Sequence, residues 1–135
     1  MENERIHIGV YGVAKRKDKI ALILKGRGPY TGMLDLPGGK IEYGESVEEC
    51  LKREIKEELG VEVSDFKLRK VLQNSVSYEE NGIAVKLQHV GIIFDVEIEE
   101  EIVSRAEHDV LEAGWYEIEQ LDERNLTFLA REGLL

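Results

Sequence analysis

The residues from Gly38 to Val61, GGKIEYGESVEECLKREIKEELGV, leave few folds open to the chain around them. Ser46 is followed three places on by Glu49, the spacing of a capping box, so a helix starts here. Glu48 and Glu49 suit the positive end of its macrodipole, and Gly60 stands where a left-handed glycine would end it. One face of that helix reads Val47, Leu51, Ile55 and Leu59, an apolar stripe that must be buried. Glu54, Glu57 and Glu58 stand at i, i+3 and i+4, so three carboxylates project together. Like charges so close oppose folding unless a cation sits among them. Hard divalent ions, Mg²⁺ above all, take oxygen ligands of this kind.

The 135 residues fit one domain, 1–135, with 42% hydrophobic and 34% charged residues. No apolar run reaches the length of a membrane span, and MENERIHIGV lacks the regions of a signal peptide. Cys50 is the only cysteine, so no internal disulfide forms; a small buried side chain and a reducing cytoplasm are expected. The net charge of −10 argues against binding long nucleic acids. Residues 97–123 hold eleven acids and one base, Arg105, a local sum of −10 that accounts for the whole excess. Most of these acids read as a solvated surface.

Along the chain, residues 5–14 and 19–25 read as strands joined through the charged KRKDK into a hairpin. Residues 26–37 form a loop that leads into Pro37-Gly38-Gly39, where backbone can approach a ligand closely. Residues 61–63 and 66–73 look extended, and Asn81-Gly82 marks a second hairpin. Residues 83–98 make the longest β-like run and belong at the centre of a sheet. An acidic loop with at most one helical turn follows over 99–114, then a short strand at Trp115, Tyr116 and Ile118, and a closing helix over 121–135. His7 and His89 read as packed or surface residues within strands. This order favours an α/β (α+β) fold with a mixed sheet between helices.

Gly39, Glu45, Arg53, Glu54, Ile55, Glu57, Glu58, Gly60 and Val61 fill every position of one known signature, and the chain resembles the Nudix hydrolases, which include the MutT-type pyrophosphohydrolases. Leu36-Pro37-Gly38 and Trp115-Tyr116 are also similar to the family, whereas Leu34 stands where many members carry tryptophan. The resemblance implies an α/β/α sandwich and cleavage of a pyrophosphate bond in a nucleoside diphosphate linked to another group. Nucleoside triphosphates, damaged dNTPs, ADP-ribose, nucleotide sugars and dinucleoside polyphosphates all satisfy that description. It implies that Glu54, Glu57, Glu58 and the Gly38 carbonyl bind Mg²⁺ (or Mn²⁺), with Glu45 and Arg53 supporting them. For the general base it leaves Glu57 and Glu58 open, together with Glu107, Asp109 and Glu112 from the segment before Trp115.

Lys40, Gly39 and Arg27 are candidate substrate contacts. Tyr78 stands where some dinucleoside polyphosphate hydrolases have tyrosine, and the proline frequent in ADP-ribose enzymes beyond the signature is missing. A homodimer is a further expectation. The competing readings are a non-catalytic nucleotide-binding or sensing module and an acidic helical protein. The second gives no reason for Gly39, Glu45 and Arg53 at their spacings.

Overall fold

The computed structural model describes residues 3–103 and 110–134. Its strands are β1 (Asn3–Val13), β2 (Lys15–Arg16), β3 (Lys19–Lys25), β4 (Leu34–Asp35), β5 (Gly38–Lys40), β6 (Asp65–Glu80), β7 (Ile83–Glu97) and β8 (Val110–Glu117); its helices are α1 (Val47–Leu59) and α2 (Phe128–Gly133). One sheet is mixed, in the order β5-β1-β7-β6, with β1 parallel to β7 and the other pairs antiparallel. The second is antiparallel and built around β3, which pairs with β2, β4 and β8.

Alternation along β3 explains why two helices are needed. Ala21 and Ile23 join the cluster under α1 with Leu51, Ile55 and Leu59. Ile20 and Leu22 point the other way, into a cluster with Leu36, Ile93 and the α2 residues Leu129 and Ala130. In β1, Val10 faces α1 while Tyr11 and Val13 face α2. The strands are thus buried on both faces between α1 and α2, which is the expected α/β/α layering. As expected, β7 lies inside the mixed sheet, and Asn81 (φ 54°) and Gly82 (φ 77°) adopt the left-handed pair of a tight hairpin turn.

The first hairpin is corrected. β1 does not fold back on β3; it runs beside β7 from Asn3↔Val85 to Val13↔Asp95. Only Lys15–Arg16 pair with Lys19 and Ile20, around a turn in which Lys17 takes φ 58°. Val10 to Ala14 is apolar on both faces and needs a partner strand as long as itself, which a local hairpin cannot supply. The closing helix is also shorter than expected. Asp122 caps a single turn at Glu123–Asn125, Leu126 bridges to Leu34, and only then does Thr127 cap α2. Two capping side chains break the segment because each offers the backbone a local hydrogen bond. Val110 to Gly114, assigned to a loop, lie in β8.

Candidate functional site

The site is built where β5 meets α1. Both ends of α1 follow the sequence: Ser46 accepts from the Glu49 N–H, Glu49 accepts from the Ser46 N–H, and Gly60 ends the helix at φ 72°. Leu51, Ile55 and Leu59 are fully buried, and that fixes the helix's rotation. Its acidic face therefore turns toward Gly38 and Gly39, which pair with Tyr11 and Val10. Gly38 has φ 148°, and a side chain there would strike the Val10 carbonyl. A Cβ on Gly39 would sit 2.7 Å from the Glu54 carboxylate. The two glycines let backbone lie directly against the acids.

Arg53 organises those acids. Its Nε donates to Glu45 at 2.6 Å, one terminal nitrogen to Glu54 at 2.8 Å and to Glu57 at 3.4 Å, and the other to Glu45 at 3.0 Å and the Lys40 carbonyl at 3.1 Å. One guanidinium thus ties the loop before α1 to the carboxylates on it. The Arg53 hydrogen bonds are the main reason that Glu45 is held at about 2. The same bond to Glu45, and the one to Glu54, raise Arg53 further above its already high value. Glu58 is buried and accepts from the Gly38 N–H at 2.7 Å. Glu57 is half exposed. Beneath them the Cys50 thiol lies 3.6 Å from the Gly39 carbonyl, and burial pushes it up to about 12, so it is inert at neutral pH.

Glu54, Glu57, Glu58 and the Gly38 carbonyl fit a hard divalent cation, since they offer only oxygen and Gly39 leaves room beside Glu54. Among the described residues no three acidic, histidine or cysteine side chains already converge on one point.

Arg27, Lys40 and Tyr78 lie around one cavity of about 300 Å³, which Tyr11, Tyr30 and His89 also line. Tyr11, in the wall of this cavity, pairs with Gly38, whose N–H donates to Glu58, and that contact links the cavity to the acidic face. Of the candidate bases, Glu112 is on β8 rather than in a loop and accepts a 2.6 Å hydrogen bond from Tyr116. Glu107 and Asp109 lie outside the described residues. The sequence marks neither Tyr11 nor Tyr30 as a site residue and reads His7 and His89 as packed or surface residues; His89 is buried and His7 half-buried, and both line this cavity. Alternation already set His7 and Tyr11 on one face of β1, but their meeting with His89 depends on the register between β1 and β7.

A family model described as NUDIX domain matches residues 3–134. The crystal structure of a MutT NUDIX hydrolase from Burkholderia pseudomallei is 28% identical, with 96% of each chain covered and a TM-score of 0.74. The ADP-ribose pyrophosphatase of Methanocaldococcus jannaschii is 46% identical over 54 residues, 40% of this chain and 32% of that one. The nucleoside triphosphatase NudI of Escherichia coli O139:H28 is 56% identical over 34 residues, 25% of this chain and 24% of that one. The chain thus spans a third or less of the curated relatives it matches.

Proposed function

The chain belongs to the NUDIX domain family, and on that premise we propose that it hydrolyses a pyrophosphate bond in a nucleoside diphosphate linked to another group. The observation that carries this reading is the Arg53 bridge, which fastens Glu45, Glu54 and Glu57 beside the bare backbone of Gly38 and Gly39. In this reading Glu54, Glu57, Glu58 and the Gly38 carbonyl hold Mg²⁺, with Mn²⁺ as a substitute. The bound cation supplies neutralisation of the phosphate oxygens and lowers the pKa of a water ligand. Arg53 and Glu45 position the acidic face. Glu57, the most exposed of the three helix carboxylates, can accept a proton from water without leaving a buried charge. Glu58 and Glu112 are the described alternatives. Lys40 and Arg27 contact the phosphates, and Tyr78 the group beyond them.

The names of the similar proteins point to ADP-ribose and nucleoside triphosphates as the first substrates to try. The test is release of phosphate or nucleoside monophosphate from a panel of nucleoside triphosphates, damaged dNTPs, ADP-ribose, nucleotide sugars and dinucleoside polyphosphates, with and without Mg²⁺. Metal-dependent release from at least one is expected. Glu57→Gln lowers its turnover about 100-fold or more, the scale of a lost acid–base or metal-binding group, while circular dichroism stays unchanged. No release from any substrate favours the binding or sensing module.

The same reading includes a single domain, a homodimer and a reducing, cytoplasmic setting, the last supported by Cys50, a buried thiol. Among the described residues no helix is long and apolar enough to cross a membrane. A monomeric mass in solution refutes the homodimer, and recovery of the chain from a secreted fraction refutes the setting.

A further inference from the structure

An edge strand offers unpaired backbone N–H and C=O groups to any other strand, and folded proteins blunt such edges with charge, proline, bulges or brevity. Most edges here follow that rule. β5 has three residues, β2 and β4 have two each, and β8 carries Glu112 and Glu117. β6 ends the mixed sheet, beside β7, and runs for 16 residues. Its first part is guarded. Asp65, Lys67, Arg69 and Lys70 are charged, and the pairing with β7 bulges between Leu68 and Lys70. There Arg69 donates to the carbonyls of Gly133 and Leu134, and Lys70 to that of Glu132, which fastens the end of α2 to the strand.

Beyond the bulge the guard stops. Val71 to Tyr78, VLQNSVSY, is eight residues without a charge or a proline, in a chain of net charge −10. Register with β7 is unbroken from Lys70↔Ile93 to Glu80↔Ile83, where Asn81 and Gly82 turn the chain. The regular stretch is thus 70–80, and its midpoint is Ser75, an exposed residue.

Two copies of such a stretch can pair antiparallel about a two-fold axis perpendicular to the sheet. That symmetry keeps each face of the sheet on its own side, so one residue must face its own copy. With Ser75 at that point, Gln73 faces Ser77, Leu72 faces Tyr78 and Lys70 faces Glu80. Small uncharged groups meet at the centre, an aliphatic side chain meets an aromatic one further out, and opposite charges meet at both ends. Lys70 can serve Glu132 and Glu80 together, since an ammonium has three donors. Moving the centre to Asn74 sets Lys70 against Tyr78, and moving it to Val76 sets Leu72 against Glu80. The end charges answer each other only when this segment pairs with itself, which selects a second copy over an unrelated strand.

We propose, building on the homodimer inferred above, that β6 is its interface: residues 70–80 of two copies pair antiparallel, centred on Ser75, and join two four-stranded sheets into one. Leu72 of each copy then packs beside Tyr78 of the other, in the wall of the cavity that Tyr78 lines.

Sedimentation equilibrium over a dilution series is expected to give twice the chain mass. Ser75→Lys sets two ammonium groups across one facing pair and returns the chain to a monomer, with far-UV circular dichroism unchanged because Ser75 is exposed. Ser75→Cys forms a covalent dimer on oxidation, since facing Cα atoms lie about 4.5–5.5 Å apart, within disulfide reach. Gln73→Cys does not, because its two copies are offset by about four residues, roughly 13 Å along the strands. Cys50 is buried and does not compete. A dimer in which Ser75→Lys folds and stays associated, or in which Ser75→Cys fails to cross-link, overturns this interface and leaves the homodimer standing. Cross-linking of Gln73→Cys as readily as Ser75→Cys overturns the register. A monomeric mass at every concentration overturns interface and homodimer together.

Discussion

Gly38 and Gly39 are neighbours whose replacement has opposite consequences. Alanine at 38 must adopt a conformation that side chains avoid and meets the Val10 backbone, which cannot move without β1. Gly38→Ala is expected to cost about 1–3 kcal/mol of stability from conformation alone, read from chemical denaturation. Alanine at 39 first meets the Glu54 carboxylate, the end of a flexible side chain. Gly39→Ala therefore lowers metal affinity and turnover ten-fold or more, with a smaller loss of stability than at 38. If both variants lose stability equally, the cradle is a packing feature only. Glu45 gives a pH signature. Its folded value of about 2 lies below its ordinary 4.5, so the carboxylate stabilises the fold above that range. The contribution is lost as pH falls from about 4.5 toward 2. In Glu45→Gln the melting temperature changes less across that window; an unaltered slope contradicts the Arg53 bridge.

Among the elements, α1 was the most legible, because its start, stop and buried stripe are all set within 15 residues of sequence, Ser46 to Gly60. Its two kinds of signal differ in weight. Ser46→Ala removes one cap and is expected to cost about 1 kcal/mol. Ile55→Ala opens a void in the fully buried cluster below the site and costs about 2–5 kcal/mol. Equilibrium unfolding of the pair checks the order, and a reversal would mean that α1 is held by its ends rather than by its stripe. The strands were legible as extended segments but not as partners. β1 reads equally well as half of a hairpin with β3 or as a neighbour of β7, since alternation gives a strand's faces and not its edges.

For the whole molecule, β3 is the reason that the two helices form one unit. Its alternate residues belong to the α1 cluster and to the α2 cluster, so neither cluster can open alone. Heating is expected to give a single transition, coincident in far-UV circular dichroism and in the fluorescence of Trp115, the only tryptophan. Two separated transitions would divide the chain into independent units. The sequence by itself determined α1, its caps, the tight turn at Asn81-Gly82 and the line of carboxylates with their arginine. Each of these is a matter of residues near one another along the chain, where backbone geometry fixes which side chains meet. Only the tertiary structure decided that β1 runs beside β7, that His7 faces His89, and that Arg27, Lys40 and Tyr78 share one cavity. Those contacts join residues far apart in the chain, and they are selected by burial of both faces of the sheet at once, a condition that no local pattern encodes.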